Sequence, residues 1–201
     1  MDPKKRTLGA TERDERHRLM WHRILRNIDA RRLVFVDEFG VNIRLARLFG
    51  WAPRGIRSRG SAPRNYGRNL SVCAALSLDG ITAAMPIDGA IDGLAFEQYV
   101  ERILVPTLTP RQIVILDNLS VHKQAAVRQA IEAVGARVLF LPSYSPDFNP
   151  IEMVISAIKQ FLRRTEATTR QALEVTLPRA LDTVTADHAL HCFRHCGYSV
   201  Q

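Results

Sequence analysis

Two short apolar runs, Leu33-Val34-Phe35-Val36 and Ile113-Val114-Ile115-Leu116, each stop at an acid, Asp37 and Asp117. Both runs are rich in β-branched or aromatic residues and predict buried strands. Carboxylates at the C-terminal ends of such strands stand where open α/β sheets form their sites.

The rest of the chain supplies the sheet's partners. Residues 70–78 and 81–86 predict two more strands, and Asp79-Gly80 between them suits a tight hairpin turn. Residues 138–141 predict a fifth strand. Helices are predicted over 11–30, 96–104, 123–134, 151–164 and 169–184, with Gly135 stopping the third and Pro178 kinking or dividing the last. In the first, Leu19, Trp21, Ile24, Leu25 and Ile28 are the apolar candidates. In the fourth, Ile151, Val154, Ile155, Ile158, Phe161 and Leu162 form one stripe. Residues 50–68 hold Gly50, Pro53, Gly55, Gly60, Pro63 and Gly67, so a loop or distorted hairpin is expected there. The order, hairpin strands and then strand–helix–strand–helix, is that of an α/β fold. It divides into a basic helical segment over 1–30 and a main domain over 31–201.

The chain has 201 residues, 46% of them hydrophobic, enough for the core of one domain. No apolar run reaches the length of a membrane span, and the first residues lack the apolar stretch of a signal peptide. Cys73, Cys192 and Cys196 make no disulfide framework and fit a reducing cytoplasm. The net charge of +8 is uneven. Residues 1–32 hold ten Lys/Arg against five Asp/Glu, and residues 44–68 hold seven arginines and no acid. Arginine's planar fork suits phosphate, which points to a polyanionic partner. A solvated basic surface has the same composition.

The acids admit a sharper reading and a plainer one. Metal-assisted phosphoryl transfer uses hard oxygen ligands for Mg²⁺ or Mn²⁺. Two ions ~3.5–4 Å apart can serve both the attacking and the leaving oxygen. Asp37 ends a buried strand and must be solvated, paired or metal-bound, unless it only forms a turn. Glu38 competes for the role, but strand alternation points it to the opposite face. Asp117-Asn118 also suits a turn or a helix cap. Asn149-Pro150-Ile151-Glu152 fits an N-cap, a proline at the first helical position and a capping-box glutamate. A capping Glu152 points back to its own backbone, whereas a metal-holding one points away, and both stay open. Ser156 and Lys159 share its helix face, where Lys159 is a candidate phosphate contact.

Together these stretches resemble the catalytic domain of the insertion-sequence 630 family, bacterial transposases of the mariner superfamily. The matching runs are Val34-Phe35-Val36-Asp37-Glu38, Gly50-Trp51-Ala52-Pro53-Arg54-Gly55, Leu116-Asp117-Asn118-Leu119-Ser120-Val121-His122-Lys123, residues 141–152, and Phe193-Arg194-His195-Cys196-Gly197-Tyr198. Asp117 and Glu152 have 34 residues between them, the spacing of the family's two-Asp-plus-Glu pattern. The resemblance implies an RNase H-like fold, with a central mixed five-stranded sheet flanked by helices. It implies catalytic, metal-holding Asp37, Asp117 and Glu152, two Mg²⁺ or Mn²⁺ ions, and no covalent intermediate. The activity it implies is cleavage of double-stranded DNA, then attack of the freed 3′-hydroxyl on a target, commonly at TA. A homodimer on DNA is the family's arrangement.

Residues 44–68 would be a hairpin region near DNA, with Arg54, Arg57 and Arg59 on phosphates. His122 and Lys123, just past Asp117, are further candidate DNA contacts, and His122 could instead orient a ligand. The thirty or so residues before the first strand are too few for the family's helix-turn-helix pair. The chain would then be a truncated copy, or the second of two joined reading frames with end recognition coming from an upstream polypeptide or a fused frame. Ile155 stands where many relatives carry an aromatic, a packing change on the core stripe. Another RNase H-like nuclease would share the acids, and a non-catalytic DNA-binding remnant would share the basic surface. His188, His191, Cys192, His195 and Cys196 invite a zinc reading, but their spacing lacks the paired pattern of a structural site.

Overall fold

The computed structural model describes residue 11 and residues 13–200, apart from positions 26, 48 and 66. Residues 1–10 of the basic N-terminal segment lie outside the described residues. A mixed five-stranded sheet runs in the order β3-β2-β1-β4-β5. β1 (Leu33–Val41), β2 (Leu70–Ser77) and β3 (Gly80–Asp88) form an antiparallel meander. β4 (Ile113–Leu116) and β5 (Arg137–Phe140) continue the sheet in parallel on the other side of β1. With helices on both faces, this is the arrangement an RNase H-like fold requires.

Alternation along β1 builds a core on each face. Leu33, Phe35, Phe39 and Val41 join a cluster with α4 (Pro150–Thr165), α5 (Arg170–Asp182) and α6 (Ala186–His195). Val34 and Val36 join the opposite cluster with α2 (Gly93–Tyr99), the π-helical turn Val100–Leu104 and α3 (Ala125–Ala133). On α4 the stripe Ile151, Val154, Ile155, Ile158 and Leu162 is buried. Each such side chain contributes about 1.5–3 kcal/mol on burial. α1 (Glu15–Leu25) belongs to the first core too, through Trp21 and Leu25, while Leu19 is exposed.

Several boundaries differ from the sequence reading. β1 does not stop at Asp37 but runs on to Val41, paired with β2 from Phe35↔Leu76 to Val41↔Leu70. Asp37 and Glu38 interrupt the apolar run without interrupting the period of two. α5 accommodates Pro178 without dividing. Residues 186–195, left unassigned by pattern, form α6 and bury Ala189, Cys192 and Phe193. The described residues between β1 and β2 form no strand, so the hairpin suggested there is absent. Its prolines cannot donate to a ladder. Arg47 ties this loop to the end of α4, donating to the Arg164 carbonyl at 3.0 Å.

Candidate active site

β1 and β4 pair in parallel, Leu33 with Ile113 and Phe35 with Ile115. Continued by two residues, that register brings Asp37 level with Asp117. There β4 has ended, while β1 continues along β2 alone. The first turn of α4 flanks the gap. A cleft of about 410 Å³ is lined by Asp37, Asp117, Glu152, Asn149, Ser143 and Tyr144, among others. The three acids thus arrive from a strand, a strand end and a helix start.

Asp37 is held at both oxygens. The Glu38 amide donates to Oδ1 at 2.7 Å and the Asn149 side-chain amide to Oδ2 at 2.9 Å. Burial pushes its carboxyl up to about 7, and the like charges of Glu152, Asp117 and Glu38 add to this, against the Glu38 amide bond. Asp117 sits half exposed. Burial pushes it up, but the hydrogen bonds from His122 and the Leu119 amide outweigh this and hold its carboxyl below the usual carboxylate value. Glu152 is exposed in the first turn of α4.

The capping reading of this helix start is corrected. The Asn149 side chain makes no cap hydrogen bond and instead reaches back to Asp37. Among the described residues nothing donates to the Glu152 carboxylate, so no capping box forms. Pro150 does stand at the first helical position.

His122 is turned inward, away from the surface. Its side chain is 1% exposed, with Nδ1 2.5 Å from Asp117 Oδ1 and Nε2 2.8 Å from Glu38 Oε1. Burial lowers its pKa, but the bonds to Asp117 and Glu38 more than reverse this and raise it to about 9. Each ring nitrogen thus faces a carboxylate oxygen, and the ring links the two acids. Glu38, on the face opposite Asp37 as alternation requires, is thereby tied to the site. Neither that partnership nor the one between Asn149 and Asp37 was visible in sequence. The five-residue step from Asp117 to His122 was the available signal for the first.

The other basic candidates are spread out. Arg54, Arg57 and Arg59 are exposed on the loop between β1 and β2. Lys123 is exposed, its Nζ 6.0 Å from the Phe140 ring centroid. Lys159 is half-buried on α4, its Nζ 5.9 Å from the Phe39 ring centroid. None of these five lines the cleft of the acids.

Asn118 secures the cleft wall by donating to the Leu141 carbonyl at 2.6 Å. The turn before α4, Pro146–Phe148, is clasped from both chain ends. Arg18 donates to both Asp147 oxygens, at 2.9 and 2.6 Å, and stacks over Phe148 at 4.2 Å. The Tyr198 hydroxyl donates to the Phe148 carbonyl at 2.7 Å and accepts from Trp21 Nε1 at 3.2 Å.

Among the described residues no group of three acid, His or Cys side chains is clustered as a ready-made metal site. The chemistry of the cleft nonetheless fits a hard cation. Three carboxylates face one space, their mutual repulsion weighs on Asp37, and Asn149 Oδ1 is a buried oxygen without a partner. Asp37, Asp117 and Glu152 are the residues able to hold one.

In sequence, the profile of the DDE superfamily endonucleases matches residues 32–174. No curated protein matches the chain. Among solved structures, the Mos1 strand transfer complex superposes with a TM-score of 0.69 at 18% identity, covering 98% of this chain and 62% of that one. The Mos1 mariner paired end complex with Mg gives 0.69 at 17%, covering 98% and 64%. The isolated catalytic domain of Mos1 mariner transposase gives 0.61 at 15%, covering 97% and 98%. This chain therefore spans about three-fifths of the full Mos1 chains and nearly all of their catalytic domain. The shared fold and the matched profile agree: the chain belongs to the DDE superfamily of endonucleases.

Proposed function

We propose that this chain is the catalytic domain of a DNA transposase of the insertion-sequence 630 family. In this reading it performs metal-dependent strand cleavage and 3′-hydroxyl strand transfer. The carrying observation is that Asp37, Asp117 and Glu152 line one cleft in a fold shared with the Mos1 catalytic domain. The motif resemblance supports the narrower family assignment.

In the first reaction a water oxygen attacks a backbone phosphorus and the bond to the 3′ oxygen breaks. The freed 3′ oxygen gains a proton. In the second, that hydroxyl attacks a phosphorus of target DNA, losing its proton as the target's own 3′ oxygen leaves. Both are in-line displacements, for which positioning and charge stabilisation suffice. Asp37, Asp117 and Glu152 would hold two Mg²⁺ or Mn²⁺ ions. When bound, these offset charge on the attacking and leaving oxygens. Asn149 holds Asp37 in place for this work. Arg54, Arg57, Arg59, Lys123 and Lys159 would bind duplex phosphates. The reading extends to a homodimer acting on paired ends, to TA targets, and to a bacterial, nucleoid-associated location.

The test is strand cleavage and transfer on pre-nicked DNA with Mn²⁺, comparing the wild type with Asp117→Asn. Joined products from the wild type alone are expected. Equal metal-dependent activity in both removes the site assignment, and cleavage without joining points to a nuclease.

A further inference from the structure

We propose that His122 is a positioning residue: by clasping Asp117 on one side and Glu38 on the other, it fixes which oxygen Asp117 presents to the cleft. The inference rests on reading Asp117 as a metal-holding acid.

The backbone leaves a gap at this level. β1–β4 pairing is recorded only from Leu33↔Ile113 to Phe35↔Ile115. Past it no ladder rung holds β1 to the segment after β4, although an acid on each must face the same space. The His122 ring spans that gap, with Nδ1 on Asp117 and Nε2 on Glu38. Its own place is set by packing on Phe96, ring centroids 4.3 Å apart, and by the 3₁₀ turn Ser120–Lys123.

The clasp also distinguishes the two oxygens of Asp117. Oδ1 accepts from both His122 and the Leu119 amide. Oδ2 receives no hydrogen bond among the described residues and remains for the cleft. Glu38 does not line the cleft and works only as the far anchor. Such supports of a ligand typically change metal affinity or activity 10–100-fold when removed.

The experiment measures Mn²⁺ binding to the chain by electron paramagnetic resonance without DNA, alongside thermal melting. The chains are wild type, Asp117→Asn, His122→Gln, Glu38→Ala and Glu38→Gln. His122→Gln and Glu38→Ala are expected to weaken Mn²⁺ binding about 10–100-fold. Glu38→Gln should keep near-normal affinity, because its amide oxygen still accepts from Nε2. On pre-nicked DNA the first two should lower kcat and leave KM unchanged, since His122 is buried. Lower melting temperatures with unchanged Mn²⁺ affinity and kcat would overturn the inference, leaving a purely structural histidine. A raised KM alone would also overturn it, in favour of DNA contact. If His122→Gln fails to fold, the Glu38→Ala and Glu38→Gln pair decides. A wild type that binds no Mn²⁺, matched by Asp117→Asn, removes the metal reading and this inference with it. A metal-binding wild type beside an unaltered His122→Gln removes this inference alone.

Discussion

The side-chain amide of Asn149 donates to Asp37 Oδ2 at 2.9 Å, joining the start of α4 to the middle of β1. Asn149 is buried, so the bond is shielded from water. Asn149→Ala removes a donor from a buried carboxylate and is expected to destabilise the chain by about 1.5–3 kcal/mol in urea unfolding. Asn149→Asp keeps the shape but sets a second carboxylate against Asp37. It should be the less stable of the two variants at neutral pH. An aspartate variant as stable as the wild type would show that this bond does not orient Asp37.

That bond also marks the limit of what was legible in sequence. The strands around Leu33 and Ile113 were readable because four apolar residues in a row leave few other choices. The far half of β1 was not, because Asp37 and Glu38 break the run although Phe39 and Val41 keep its inward face. α6 was hidden by composition: Ala189, Cys192 and Phe193 are spaced as a helical core stripe, but His188, His191, Arg194 and His195 between and around them dilute the apolar pattern. The three acids were legible through their motifs. Of their supports, His122 beside Asp117 was offered as orienting a ligand, but its far anchor Glu38, 84 residues away, and Asn149, 112 residues from Asp37, were not legible. Asn149 had a good local role as an N-cap, and the tertiary partner won.

The pairing of Arg18 with Asp147 makes a prediction about acid stability. The hydrogen bonds from Arg18 hold the Asp147 carboxyl below its ordinary value of 3.8, outweighing the opposing effect of burial. A depressed carboxylate contributes stability that is fully present above its unfolded pKa. It is lost as pH falls through the lower native value. The wild type should therefore lose its advantage over Asp147→Asn below about pH 4, with the two melting together at lower pH. Asp147 is 53% exposed, so the advantage at neutral pH should be about 1 kcal/mol or less. An advantage that persists at pH 2 would locate the effect elsewhere.

The Tyr198 hydroxyl serves two buried partners, Trp21 Nε1 and the Phe148 carbonyl. Tyr198→Phe keeps the ring packed against Phe35 and Phe193 but leaves both partners unsatisfied. We expect a loss of about 1–3 kcal/mol by chemical denaturation. Faster hydrogen exchange at the first turn of α4 should accompany it, because the Phe148 carbonyl belongs to the turn leading into that helix. Unchanged exchange there would confine the effect to the C-terminus.

Gly80 closes the β2–β3 hairpin at φ +104°, a conformation other residues rarely adopt. A Cβ at this position would also fall inside contact distance of the Val184 backbone carbonyl, which begins the approach to α6. Two independent penalties therefore act on Gly80→Ala. Gly55 shares the left-handed conformation but has open space around it. Gly80→Ala should lower the melting temperature more than Gly55→Ala. Equal melting temperatures would mean that the hairpin moves freely away from Val184.

The exposed arginines between β1 and β2 give the last test, of the duplex-binding part of the proposed function. Each arginine on a phosphate releases condensed counterions from DNA on binding. It contributes about 0.9 to the slope of log affinity against log salt. Arg54, Arg57 and Arg59 are all exposed, so replacing them with alanine should leave the melting temperature unchanged. Binding of the triple variant to nonspecific duplex should then weaken at low salt and show a slope shallower by about 0.9 for each arginine that meets a phosphate. Single variants would divide that change among the three positions. An unaltered slope in the triple variant would place the duplex on another face, and Lys123 and Lys159 would be the next positions to replace.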